Sequence, residues 1–181
     1  GRSRLLLEFV LEGKLAGALV LMASASKVRA ETHGVADRLI DQLRDLQPDR
    51  FDRLSEADQT LFFGWRSSVG PIASGSRTRG GRMTDEDLLR KQALLKGLLL
   101  EAAATSGLVI AVDDMEACDV ASAALLNAIV DAAPGRRILI GVALRTDAEP
   151  IAKDAVSRLR ARGRRVPLLP LDEADVEALI R

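Results

Sequence analysis

LVIAVDDMEACDVASAALL, residues 108–126, is the stretch on which the reading of the fold turns. Leu108–Val112 is an unbroken apolar run bounded by Gly107, short for a core helix but suited to a strand buried on both faces. The run ends in two consecutive carboxylates, Asp113 and Asp114. Asp119 and Ser122 then have the spacing of a helix N-cap and its first turn, which points to a structural role for both. In an open parallel sheet, ligands bind at the carboxyl ends of the strands. The two acids therefore fall where they can hold Mg²⁺ directly or through its waters, with Asp113 as metal ligand and Asp114 as the base that orients an attacking water. The residues alone leave a second reading open, in which the pair is a polar strand end or a helix cap.

Working outward, Ala18–Ala25 (ALVLMASA) and residues 137–144 (RILIGVAL) are further buried strands, and Arg165–Leu169 (RVPLL) is a short fourth one. Pro167 suggests that the fourth lies at an edge. Helical spacing covers residues 3–12, with Gly13 and Gly17 bracketing the turn that follows, and residues 28–46, where Pro48 ends the segment. Helices are also predicted over about 85–105, from Asp119 to near Pro134-Gly135, over 149–162, and from Asp172 onward. The arginines at 158, 160 and 162 suit the carbonyl end of their helix. Residues 49–85 are the least regular part, and their centre, SSVGPIASGSRTRGGR at 67–82, reads as a long loop. Apolar strands alternating with helices predict an α/β fold, a parallel sheet covered on both faces, without an internal repeat.

Composition sets bounds on function. The 181 residues are 48% apolar and 29% charged, a globular balance, with a core of Leu, Ile, Val and Ala because aromatics are only 3%. Lys plus Arg equals Asp plus Glu at 26 each, which argues against a dedicated nucleic-acid or membrane-surface module. The one cysteine, Cys118, leaves neither an internal disulfide nor a zinc cluster, so a reducing cytoplasm is expected. No apolar run approaches the roughly 18 residues of a membrane span, and no secretory leader is recognisable. The chain opens on Gly1 rather than Met, as a trimmed domain would.

Two more groups could carry chemistry. Gly1-Arg2-Ser3 can supply the last three positions of the phosphate-binding pattern G-x-x-x-x-G-K-[ST], whose backbone N–H groups cradle phosphates at a helix N-terminus. Arg2 stands where Lys is usual; its planar guanidinium can contact phosphate, but it is bulkier than an ammonium. The competing reading makes residues 1–4 an arbitrary start. Arg145, ending the strand RILIGVAL, can sense a γ-phosphate or instead pair with Asp147 or Glu149. His33 reads as a surface residue, Cys118 as no catalytic thiol, the arginines at 77, 79 and 82 as a solvated loop, and Trp65 as an anchor.

These segments together resemble the P-loop ATPase domains of the STAND and AAA type found in bacterial signalling proteins. LVIAVDDMEACDVASAALL resembles their Walker B region, GRSRLLLEF the end of their Walker A loop, ILIGVALRTDAE their fourth strand with its terminal arginine, and VPLLPLDEADVEALI the passage into a helical or winged-helix domain. The resemblance implies a three-layer αβα sandwich of strand order 5-1-4-3-2 whose strand 1 lies before Gly1, a nucleotide-binding domain over residues 1–171 with a variable insert at about 49–85, and a following segment at 172–181. It implies ATP and Mg²⁺ as ligands. Gly1, Arg2, Ser3 and Arg4 would hold the phosphates, Ser3 and Asp113 the metal, with Asp114 and Arg145 as catalytic groups. Two positions depart from the family pattern: Arg2, which puts hydrolysis in doubt, and Glu116-Ala117, where a His-Trp pair is common.

The expectation that follows is an ATP-binding regulatory switch with slow hydrolysis at most, from a protein that joins it to a kinase, cyclase or DNA-binding output. Its partners would be ATP, the other domains of its parent and, with nucleotide, other copies of itself, but neither membrane nor nucleic acid. A degenerate P-loop domain serving as an interaction scaffold is the alternative. A receiver domain is the third reading, disfavoured because its acidic pair ends the first strand and a later strand ends in Lys. The geometric expectation is specific: the carboxylates of Asp113 and Asp114 face one cavity at the mouth of the first helix.

Overall fold

The computed structural model describes residues 1–28, 34–63 and 85–168. Strands β1 (Leu19–Ser24), β2 (Leu108–Asp113) and β3 (Ile138–Val142) form a parallel sheet in the order β1-β2-β3. Leu19 stands opposite Leu108 and Ser24 opposite Asp113, while Leu108 stands opposite Ile138, so the carboxyl ends of all three strands share one edge.

Helices cover both faces, as the unbroken apolar strands require. On one face lies α1 (Arg2–Leu15), which packs Leu6 and Val10 against Val20, Val109, Ala111 and Ala143. The larger core lies on the other face. There α2 (Gly34–Leu46), α5 (Asp85–Ser106), α6 (Val120–Ala132) and α7 (Lys153–Arg162) enclose Leu21, Ile110 and Val112 with Leu39, Leu43, Leu99 and Ile129. Two short helices, α3 (Pro48–Asp52) and α4 (Glu56–Phe63), follow α2, and Phe51 of α3 joins the larger core. Asp119 caps α6 by accepting the Ser122 N–H at 2.8 Å, as its spacing predicted. The Ser122 hydroxyl in turn accepts the Ala36 N–H at 3.0 Å and ties α6 to the start of α2. None of the described helices is long and apolar enough to cross a membrane.

The outer edges of the sheet differ. At β1 the Gln42 side chain pairs with the backbone of Met22, accepting its N–H at 2.9 Å and donating to its carbonyl at 2.6 Å. That satisfies backbone groups a sheet edge otherwise offers to other chains. At β3 no strand pairs with the outer edge among the described residues, and Leu139 and Val142 are 57% and 40% exposed.

Four sequence expectations are corrected. Gly13 lies inside α1 rather than at a turn, because a Cβ there would sit 3.0 Å from the Val109 side chain and 3.2 Å from that of Val20; the turn belongs to Gly17, at φ +75°. Residues 49–63, expected to be irregular, carry α3 and α4; Pro48, which ends the α2 segment as expected, also starts α3, since a proline fits the first turn where no amide is needed. Residues 149–152 precede α7, which begins only at Lys153. Residues 164–168 form no strand and are exposed, pairing with none of the three strands, since β propensity alone does not make a strand. Leu169, the helix from Asp172, His33, Trp65, the loop at 67–82 and the arginines within it lie outside the described residues.

Candidate functional site

The carboxyl edge of the sheet brings the start of α1 against the acidic turn after β2. Arg2, in the first turn of α1, donates from Nη2 to Asp114 Oδ1 at 3.1 Å and lies 3.9 Å from Glu116 Oε1. The chain reverses at Asp114, whose backbone is left-handed (φ 52°, ψ 44°), a conformation Asp tolerates better than most residues. The Asp114 N–H donates to Asp113 Oδ1 at 2.9 Å, and the Met115 N–H to the Ala143 carbonyl at 2.9 Å. Both bonds fix the turn, which directs the Asp114 carboxylate toward α1.

Ser24, the last residue of β1, and Ser26, in the 3-10 turn after it, complete the cluster. Ser26 donates to Asp114 Oδ2 at 2.6 Å and Ser24 at 3.3 Å, and the two hydroxyl oxygens are 3.0 Å apart. The Ser26 hydroxyl, more than the neighbouring Arg2 charge, holds the Asp114 carboxyl below its usual range. Asp114 is therefore a secured anion and a weak proton acceptor.

Arg145 follows β3 and pairs with Asp147 through two hydrogen bonds, 3.1 Å from Nε and 2.8 Å from Nη2. These bonds raise its pKa, with smaller contributions from the charges of Glu116 and Asp114. The contact to Asp147 is one of the pairings that the sequence allowed for Arg145. Glu116 connects this segment to the rest. Its Oε2 accepts the Arg145 N–H at 3.1 Å, and its carbonyl accepts the Ile151 N–H at 2.9 Å. Arg2, Ser26, Asp114, Glu116, Arg145 and Glu149 help to line a cavity of about 340 Å³.

The structure thus brings Arg2, Asp114 and Arg145 together but leaves the other sequence candidates outside the cavity lining. Asp113 is buried, with one carboxylate oxygen engaged by the Asp114 amide, so the two acids do not share the cavity. The reason is geometric: the left-handed reversal at Asp114 separates the directions of consecutive side chains. Gly1, Ser3 and Arg4 are exposed at the start of α1, where the Gly1 carbonyl accepts the Leu5 N–H at 3.0 Å.

No group of three or more His, Cys, Asp or Glu side chains among the described residues could hold a metal ion. Asp114, Glu116 and Glu149 are the carboxylates that line the cavity, and a cation that takes most of its ligands from water and phosphate needs only one or two such groups. Sequence reasoning missed Ser24, Ser26 and the connecting role of Glu116. Position gave one available signal, since Ser24 ends an apolar run at the ligand-binding edge; the Glu116 contacts depend on folding.

Comparison of the chain with protein-family models, with curated proteins and with solved structures yields no match to any of the three.

Proposed function

We propose that this chain is an ATP-binding regulatory switch domain of a bacterial multidomain signalling protein, with slow ATP hydrolysis at most. The observation that carries the reading is the 3.1 Å meeting of Arg2, at the start of α1, with Asp114, at the carboxyl edge of a parallel sheet. A helix N-terminus with a cation suits phosphate, and an acidic strand end suits the cation that accompanies it. The parallel order β1-β2-β3 is compatible with strands 2, 3 and 4 of a P-loop domain, in which strand 1 would pair with the edge of β3 left unpaired among the described residues.

Bound Mg²⁺ would neutralise phosphate charge, held by Asp114 directly or through water, whereas Asp113 and Ser3, the ligands the resemblance implied, lie outside the cavity lining. Arg2 binds phosphate as a fork in place of a lysine point charge. Asp114 orients water through its hydrogen bonds, and its lowered pKa makes it a poor base, in keeping with slow turnover. Arg145 reaches a phosphate only by exchanging its bonds to Asp147. Binding energy spent on such exchanges moves loops, as a switch requires. The cytoplasm is its place of action, and its partners are the output domains of its parent and further copies of the nucleotide-bound domain.

Titration calorimetry of the natural full-length protein with ATP and Mg²⁺ tests the proposal. Saturable binding that weakens at least tenfold in Arg2→Ala supports it, and absence of binding refutes it. One observation favours a second reading, a degenerate domain acting as an interaction scaffold: both guanidinium groups at the cavity already have carboxylate partners. That reading predicts no nucleotide binding and no change in partner capture when ATP is added.

A further inference from the structure

The cation placed for an anion and the acid placed for a metal are bound to each other. Arg2 Nη2 contacts Asp114 Oδ1 at 3.1 Å and approaches Glu116 Oε1 at 3.9 Å, while its Nε is buried without a hydrogen-bond partner among the described residues. Asp114 is held in place from its other oxygen by Ser26 at 2.6 Å and Ser24 at 3.3 Å, so the carboxylate does not simply swing aside. Glu116 is fixed through the Arg145 N–H.

We propose that the Arg2–Asp114 pair is a latch that opposes anion binding in the cavity, released when an anion takes Arg2 or a cation takes Asp114. The proposal rests on the reading of the cavity as the phosphate end of a nucleotide site and adds a regulation to it. An anion entering at Arg2 must first break the pair, so its apparent affinity is reduced by the fraction of molecules in which the pair is open. A divalent cation on Asp114 removes that penalty, and linkage makes the effect reciprocal. With the two side chains 35% and 24% exposed, the pair belongs near the upper end of values for partly exposed ion pairs, which reduces anion affinity about fivefold.

The consequence differs from that of an acid whose role is to assist binding: removing the Asp114 charge tightens anion binding. The test uses inorganic pyrophosphate without divalent metal, in the presence of EDTA, titrated calorimetrically into the full 181-residue chain. Asp114→Asn should bind pyrophosphate about fivefold more tightly than the unsubstituted chain. Glu149→Gln removes a charge from the same cavity, but Glu149 pairs with Lys153 rather than with Arg2, so its gain should stay below about twofold. Adding Arg2→Ala should erase the gain from Asp114→Asn, because no guanidinium is left to release.

Glu116→Gln is the second variant should Asp114→Asn melt below the assay temperature, and it should show a smaller gain through the 3.9 Å contact. Equal or weaker binding by Asp114→Asn, or an equal gain from Glu149→Gln, overturns the latch while leaving the phosphate-site reading in place. Failure of every variant to bind pyrophosphate overturns the latch, while the phosphate-site reading stands or falls by the ATP titration of the full-length protein.

Discussion

Lys91, on α5, is the buried cation among the described residues, and its replacement gives the sharpest test of how the helices over the sheet are held. Its Nζ lies 2.7 Å from Asp37 Oδ1, with side chains 3% and 16% exposed. The two partners are not equally dependent on the pair. Asp37 stands in the first turn of α2, where free amides favour an anion by about 0.3–1 kcal/mol, and it retains some contact with water. Lys91 has neither form of support.

Asp37→Ala therefore strands a buried ammonium and should cost about 3–5 kcal/mol. Lys91→Met strands only the better-supported carboxylate and should cost about 1–2 kcal/mol. The double substitution removes both charges and should recover most of the larger loss, because a buried pair is often replaceable by apolar packing. Urea unfolding read by circular dichroism gives the four stabilities, provided that the m-values agree. Equal costs for the two single variants refute the asymmetry, and a double variant at the sum of the singles refutes the coupling itself.

Gly141 admits no side chain without movement, since a Cβ there would lie 2.7 Å from Phe9 Cε1; Gly141→Val should lower stability by about 1–3 kcal/mol in thermal melts, with partial recovery on adding Phe9→Leu. Burial pushes the Cys118 thiol from the ordinary 9.0 up to about 12, so iodoacetamide at pH 8 should label it only in denaturant. Because that folded value is raised, its contribution to stability is complete below pH 9.0 and is lost as the pH rises toward about 12, which alkaline unfolding curves of Cys118→Ala should lack. Asp119→Ala removes the α6 cap and should cost about 1 kcal/mol in urea unfolding, with Asp119→Ser restoring most of it.

What could be read from the sequence follows the range of the interactions involved. β2 and α6 were legible because an apolar run and a cap spacing are local, and the structure places Leu108–Asp113 and the Asp119 cap where those signals lie. The parallel sheet followed from three such runs separated by helices. Gly13 misled because its reason is tertiary: the α1 backbone passes close to Val109, nearly a hundred residues away in sequence. RVPLL misled in the opposite sense, since β propensity makes a strand only where an edge is paired, and residues 164–168 pair with none of the three strands. At the site, Arg2 and Asp114 were legible as residue types at suggestive positions, but their contact spans 112 residues and left no local trace. The same applies to Ser26, whose hydroxyl crosses from the turn after β1 to the turn after β2.

The left-handed backbone at Asp114 determines which substitutions can report on the site. At φ 52° most side chains are strained, whereas Asn and Asp occupy that region with the least penalty. Alanine at this position would remove the charge, lose the bonds from Arg2, Ser24 and Ser26, and strain the turn that anchors Met115 to Ala143. Any loss of binding in Asp114→Ala would then be the sum of three effects, two of them unrelated to ligand. Asparagine retains a side-chain carbonyl that can accept from Ser26 and leaves the reversal in place, so the charge is the main thing removed. A cavity whose acid opposes anions and one whose acid recruits them give opposite signs in that variant, while in the alanine variant the strain of the turn is superposed on either sign. The turn geometry therefore makes the asparagine variant, rather than the alanine one, the measurement that separates them.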